Sequence, residues 1–454
     1  MTETFAFSGG VHPPELKKTA GCSTIELPWP NKVVLPVSQH IGAPAKPLVA
    51  VNDKVTCGQK IAEATGMVSA PVHASISGRI AGVGNFLHPF GSPALAIVIE
   101  QTPEAEKPAF RVKNDGLLMP VDELKKRIQD AGLVGMGGAT FPTHVKVSPP
   151  PTKPIDTVIL NGVECEPALT SDHRLMLEQP DKVLIGLKLL MKVLGAKNGY
   201  IGIEENKPDA IALFTEKCRH ESHIRVAPLH VCYPQGGEKQ LIYAVLQREV
   251  PSRGLPMDVG VVVQNVATAA AIYDAIYMEK PVVDRIVTLA GNAVAKPGNY
   301  LVPMGMLIGD FVQAAGGFKP DRPPKKIIMG GPMMGHALFN LQVPVVKGTS
   351  GLLCWDEEEA GEAPEPQVCI RCGRCVEGCP MRLMPSRIKG CVDFNRLEEA
   401  ERFGIGDCIE CGCCGYVCPA RLPLVQTFKL GKRRIADVNK RKAAADKAKQ
   451  GSKA

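Results

Sequence analysis

The sequence predicts a multidomain α/β chain with a β-rich opening module and a helical, cysteine-rich end. Three observations predict it. Up to about Glu100 the chain is made of short apolar runs broken by Gly and Pro. The middle alternates strand-like apolar runs with helical periodicities. The end carries one cysteine spacing twice, at Cys369–Pro380 and Cys408–Pro419. At 454 residues there is room for roughly three or four domains of about 100–150 residues. Hydrophobic content of 45% with 5% aromatics reads as packed and soluble rather than disordered.

Residues 1–115 are the opening module. Its stretch VAVNDKVTCGQKIAEATGMVSAPVHASISGRIAGV turns at Asn52-Asp53, Gly58 and Ser77-Gly78. It resembles the barrel-sandwich fold of lipoyl and biotinyl domains, which carry a lysine on the hairpin that follows. Here the corresponding turn, His73 to Ser77, has none, so a structural module without a swinging arm is expected. His12, His40 and His73 have no metal-site spacing and read as packing or surface residues.

A polar linker, Gln101 to Asp115, leads into an α/β segment at 116–280. Val121, Leu124 and Ile128 fall at helical spacing. A strand at Thr157–Leu160, a helix over Lys182–Leu194, a strand at Tyr200–Ile203, a helix at Asp209–Arg219 and a strand at Ile224–Pro228 follow. That alternation predicts a three-layer sandwich around a largely parallel sheet. Residues 281–350 read as strand, Pro-Gly turn, strand and short helix, then a turn at Gly330–Gly335. An acidic, proline-bearing linker (Asp356–Gln367) opens the cysteine domain, 356–430, in which Arg387–Phe403 is expected to be helical.

Residues 431–454 are a basic tail. From Lys429 onward ten Lys/Arg stand against two Asp, so the net charge of +7 belongs to the tail and the rest sums to about −1. Such a segment suits anionic lipid or acidic proteins, or is a solubilising extension. Nucleic acid lacks an aromatic stacking platform here. The opening MTETFAFSGG has neither a basic nor an apolar leader region. No run approaches the roughly 18–20 apolar residues of a membrane span, so no transmembrane segment is expected.

The cysteines carry the first chemistry. Each copy places them at i, i+3, i+6 and i+10 with proline next: Cys369, Cys372, Cys375, Cys379 and Cys408, Cys411, Cys414, Cys418. Three thiolates one short turn apart grip three corners of an iron–sulfur cube, and in two-cluster ferredoxins the fourth ligates the other cube. The expected sets are therefore Cys369, Cys372, Cys375 with Cys418, and Cys408, Cys411, Cys414 with Cys379. Zinc sites need no third cysteine with a CP ending, and disulfides suit short secreted chains. Spacing alone selects Cys414 over its neighbour Cys413. Two 4Fe-4S clusters imply a reducing compartment, since oxidation destroys their thiolates.

A glycine-rich loop, Gly135 to Pro142, is the candidate cofactor loop, since glycines let backbone N–H groups approach a ring or phosphate. It does not satisfy the GxGxxG fingerprint between strand and helix. Asn161 to Pro167 follows a buried strand, Glu204-Glu205-Asn206 follows another, and Gly236-Gly237-Glu238-Lys239 opens a helix.

In order, GMGGATFP, NGVECEP, IEEN, QGGEKQL and QNVAT are similar to the flavin-binding subunit of respiratory complex I. Residues 286–317 look like the SLBB β-grasp domain. With GGVHPPELK, the lipoyl-like module and the two-cluster ending, residues 1 to about 430 resemble the RnfC family, a component of membrane-bound ion-translocating ferredoxin:NAD oxidoreductases of the Rnf type. The resemblance implies non-covalent FMN with NAD(H) as substrate. It carries FMN contacts over to Gly135, Gly137, Gly138, Lys146, Asn161, Glu164, Glu166, Asn265 and Thr268, and nicotinamide-nucleotide contacts to Phe141, Glu205 and Glu238. Met136 and Asn206 depart from the arginine and tyrosine of complex I. No acid–base triad is expected, and the carboxylates read as orienting groups. The implied partners are the other subunits of the complex, with ferredoxin reached indirectly, and the implied place is peripheral, on the cytoplasmic face of the cell membrane. A cluster-bearing relay without a working flavin site, and the soluble NADH-linked flavin subunit of a hydrogenase-type complex, are the alternatives.

Overall fold

The computed structural model describes residues 5–113, 115–362 and 365–451, the side chains of 445–451 excepted; the outermost residues of the opening module and of the basic tail, and two in the acidic linker, lie outside this range.

The opening module is two small antiparallel sheets. One has the strand order Lys32–Pro36, Ala94–Gln101, Gly78–Phe86, Lys54–Val55; the other is Lys46–Pro47, Lys60–Glu63, Val72–His73. Val33, Leu35, Ile61, Ile80, Ile97 and Ile99 are fully buried in one shared core. The turn at His73–Ser77 is itself buried, and Ser75 Oγ donates to the Met304 carbonyl at 2.5 Å. Burial pushes the His73 imidazole down to about 3, so it is neutral. A turn that is an exposed arm in carrier domains is here a docking surface.

The α/β segment holds a four-stranded parallel sheet ordered Ile224–Leu229, Asn198–Glu204, Thr157–Asn161, Val261–Asn265. Thr157–Leu160 is buried throughout, as a parallel strand covered on both faces must be. Helices Pro180–Leu194 and Val266–Tyr277 pack together. A Cβ at Gly186 would stand 2.1 Å from the Ala269 carbonyl oxygen, so only glycine allows that approach. The first of these helices opens with Pro180 at N1 and ends at left-handed Gly195.

A six-stranded sheet follows, with Asp284–Ala290 between Gly298–Pro303 and Gly351–Trp355. Thr24–Glu26, from the chain's opening, pairs in parallel with Gly298–Pro303 at its edge. Before that strand, residues 5–22 strap the molecule: Phe5 bridges Leu229, Val11 bridges Tyr233, and Gly10 N–H donates to the Gly378 carbonyl at 3.3 Å.

In the cysteine domain, Ile388, Val392, Ala400, Ile405, Leu424 and Phe428 form a separate core. The predicted helical spacer is two helices, Pro385–Asp393 and Leu397–Arg402. The tail belongs to one helix, Leu424–Gly451. Its early turns pack past residue 430: Gly431 lies against Val392 and Ile405, and Lys432 Nζ donates to the Cys408 carbonyl at 2.6 Å. Among the described residues no helix is long and apolar enough to cross a membrane.

Candidate redox centres

The parallel sheet reverses its strand order between Thr157–Asn161 and Val261–Asn265. Open α/β sheets bind ligands in the crevice at the carboxyl ends of such a pair. Asn161 and Asn265 pair in register there, and the glycine loop folds over them. Val134 bridges Pro142 and Gly135 N–H donates to the Phe141 carbonyl at 2.9 Å, closing the loop. Met136 turns inward; its N–H donates to Thr268 Oγ1 at 2.9 Å and its carbonyl accepts from Arg285 Nη2 at 3.2 Å. Gly137 and Gly138 stay exposed at the tip. A Cβ at Gly137 would press on Asn265 at 3.2 Å, and Gly138 holds φ +111° beside open space. The exposed glycine backbone at the tip suits the close approach of a ring or a phosphate.

The carboxylates serve the loop itself. Glu164 accepts from the N–H groups of Asp172 (2.8 Å) and His173 (3.3 Å), and so caps helix Ser171–Glu178. Glu166 accepts from Met333 N–H (3.0 Å) and Met334 N–H (2.8 Å), binding the turn at Gly330–Gly335 to this loop. Burial pushes the Glu166 carboxyl up. Asn161 Oδ1 accepts from Val163 N–H (3.2 Å), and its Nδ2 donates to the Gly236 carbonyl (2.8 Å). Lys146 and Glu238, from separate segments, form an ion pair at 2.5 Å. Glu205 stands 3.7 Å from His230 Nδ1. Phe141 is part-buried at the foot of the glycine loop.

Several residues of this site carry no local signal. Lys17 Nζ donates to the carbonyls of Glu164 (2.6 Å), Glu166 (2.9 Å) and Leu169 (2.7 Å). Lys207, fully buried, donates to the Val163 carbonyl at 2.7 Å. Asp172 accepts from Asn265 Nδ2 at 2.6 Å, and burial, then the Glu164 carboxylate, pushes it up to about 7. Lys17 reaches the site from the opening segment, Lys207 and Asp172 stand just beyond the motifs already named, and lysine–carbonyl contacts leave no motif.

Of the cysteines, Cys379, Cys408, Cys411 and Cys414 line one cavity, walled also by Leu383 and Phe428. Leu383 N–H donates to Cys379 Sγ and Glu410 N–H to Cys408 Sγ, both at 3.4 Å. Burial pushes the Cys408 thiol up to about 11 and Cys414 to about 12. Burial also raises Cys379, while the Cys413 thiol beside Cys411 pulls Cys411 down; four thiols around an apolar hollow suit a group that brings its own positive charge, as iron does. Cys375 has Ser386 as hydrogen-bond partner and Cys418 and Cys369 as near neighbours. Cys413 is fully buried and directs its thiol at the Tyr233 carbonyl, 3.7 Å away. Among the described residues no three His, Cys, Asp or Glu side chains close round a single ion; a cube spreads its thiolates wider than one ion does.

The two centres touch. Tyr233 OH donates to the Cys411 carbonyl at 2.8 Å. Cys165, beside Glu164 and Glu166, packs with Tyr233, Cys411 and Cys413, and its sulfur accepts from Gly236 N–H at 3.4 Å.

Four known families match in succession between residues 5 and 419. They are the RnfC barrel sandwich hybrid domain at residues 5–104, the Nuo51 FMN-binding domain at 128–274, the SLBB domain at 286–337 and the 4Fe-4S dicluster domain at 364–419. The chain is 46% identical over 424 residues to the C subunit of the proton-translocating ferredoxin:NAD(+) oxidoreductase complex of Clostridium ljungdahlii, covering 93% of this chain and 92% of that one. It is 45% identical to the C subunit of the Na(+)-translocating complex of Acetobacterium woodii, over 94% of this chain and 97% of that one. To the C subunit of the ion-translocating oxidoreductase complex of Rhodobacter capsulatus it is 41% identical, over 97% of this chain and 85% of that one.

Proposed function

The chain belongs to the family of C subunits of ion-translocating ferredoxin:NAD(+) oxidoreductase complexes, and on that premise we propose that it is the NAD(H)-reactive subunit of such a complex. It passes electrons between NAD(H) and the other subunits through FMN and two 4Fe-4S clusters. Bound FMN supplies the exchange between two-electron hydride transfer and one-electron transfer. The chain's own residues bind, orient and insulate. Gly135, Gly137 and Gly138 offer backbone approach. Asn161, Asn265 and Thr268 fix the crevice, while Glu164 and Glu166 hold its loop and Lys146 borders it. Phe141, Glu205 and Glu238 would meet the nicotinamide nucleotide. Asp172, buried inside the cradle, holds Asn265 in place through their 2.6 Å hydrogen bond.

Cys408, Cys411, Cys414 and Cys379 would hold one cluster, and Cys369, Cys372, Cys375 and Cys418 the other. The first set comes next after the flavin, because it abuts the cradle through Tyr233 and Cys165. The observation that carries this reading is the Tyr233–Cys411 contact, which joins a nucleotide crevice to a thiol-lined cavity. The chain sits peripherally on the cytoplasmic side of the membrane. Anaerobic purification followed by NADH titration tests the whole assignment. The expected result is bleaching of one flavin per chain and two reduced-cluster EPR signals. An iron-loaded chain without FMN, or no response to NADH, would refute it.

A further inference from the structure

The two cysteine motifs are copies with the same backbone. Arg371 and Glu410 hold φ +55° and +58°, and Gly373 and Gly412 hold +81° and +86°. Matching positions therefore present matching faces, and the two copies can be compared residue by residue. In the second copy that face is covered. Ile409 packs with Tyr233, Cys411 and Met333, and a Cβ at Gly412 would stand 3.0 Å from the Met333 carbonyl oxygen. Its apolar residue is spent on docking the flavin-bearing domains.

Among the described residues nothing covers the same face of the first copy. Ile370, the counterpart of Ile409, is 69% exposed, and Val368 beside it is 85% exposed. Cys369 and Cys372 are exposed, whereas their counterparts Cys408 and Cys411 are half-buried and buried. The face is held in place: Gln367 N–H donates to the Ala420 carbonyl at 2.9 Å, laying Val368–Ile370 beside the chain that follows Cys418. An ordered apolar patch of this kind over a redox centre is costly in water unless a protein covers it.

Charge says what covers it. Where the second copy has Glu410 and Cys413, the first has Arg371 and Arg374, and Arg421 is exposed on the neighbouring segment. Glu362 and Glu365, at the end of the acidic linker, and Glu377 are the acids nearest in sequence. A second copy of this chain would set arginine against arginine. We propose that this face is the electron exit port: it docks another subunit of the same complex, one that carries a one-electron cofactor behind an acidic rim with an apolar centre. The inference rests on the cluster reading above. Apolar contact by Val368 and Ile370 brings the cofactors close, and the arginines steer the approach.

The test uses the assembled complex in its membranes and the purified full chain. Arg371→Glu combined with Arg374→Glu, and separately Ile370→Ser, should keep the iron content and the NADH-bleachable clusters of the purified chain. NADH-driven reduction of the membrane subunits' cofactors should fall at least tenfold for the charge reversal, and the wild-type rate should drop with added salt. Hydrogen exchange at amides 368–374 and 420–422 should slow when the chain is in the complex. Unchanged exchange together with wild-type electron delivery by both variants would overturn the proposal. A wild-type chain lacking iron would instead remove the cluster reading, and the exit with it, and is read from iron analysis before any variant is made.

Discussion

Lys17, Asp172 and the eight motif cysteines show how differently single residues disclose their work. The cysteines act in sets drawn from some fifty neighbouring positions, so their spacing is itself a geometric statement. Removing Cys379 tests that statement sharply. Cys379→Ala should cost about half the iron and the EPR signal of the cluster that Cys408, Cys411 and Cys414 share, while the cluster of Cys369, Cys372 and Cys375 survives. Loss of the latter would reverse the ligand crossing. Asp172 makes a different prediction. Its carboxyl moves from 3.8 up to about 7 on folding. The folded chain therefore binds more protons than the unfolded chain between those values. The destabilisation is absent below about 3.8, grows as pH rises, and is complete above about 7. Glu166 and Glu204, also pushed up by burial, act with the same sign. Buried His73, moved from 6.5 down to about 3, acts with the opposite sign over the same window, so Asp172 is read by difference: in the flavin-free chain Asp172→Asn should raise the urea midpoint relative to wild type more at pH 7 than at pH 4.

At the scale of elements, the helix pair Pro180–Leu194 and Val266–Tyr277 sets the crevice, because the second helix carries Thr268 and is capped by Asn265. The pair closes on Gly186. Gly186→Val would drive a branched side chain into the Ala269 carbonyl, which as backbone cannot yield; a loss of at least about 3 kcal/mol is expected. Urea unfolding reads that loss, and a parallel drop in FMN retention would show that the helix spacing holds the cradle. The first of these helices was legible over Lys182–Leu194; the second, Val266–Tyr277, was not read as a helix from the sequence. Nor was the strand Thr24–Glu26 legible. A run of three residues has no periodicity, and it is a strand only because Gly298–Pro303 offers it an edge.

For the whole molecule, the domains are welded rather than strung. Lys347, fully buried, donates to the carbonyls of Pro71 (2.9 Å) in the opening module and Gly132 (2.6 Å) at the root of the glycine loop. Burial moves it from 10.5 down to about 7. The folded chain binds fewer protons than the unfolded one across that window. The cost of the buried charge is complete below about 7 and is relieved as pH rises toward 10.5. Stability should thus climb again from pH 7 to pH 10, opposite in sign to the carboxyl effect. Lys347→Met should remove that climb in the urea midpoint, and an undiminished climb would assign it to another group.

The sequence by itself determined the chemistry: two iron–sulfur motifs, a glycine loop ahead of a parallel sheet, and a carrier-like module without its lysine. Each depends on residues close together in the chain, where spacing and backbone geometry suffice. Tertiary structure alone decided how these parts face one another. It brought Lys17 to the carbonyls of the flavin loop, Tyr233 to Cys411, and Ile409 under cover while leaving Ile370 bare. Those outcomes follow from burial between segments up to 178 residues apart, and no local pattern encodes which of two like-built faces the rest of the molecule will cover.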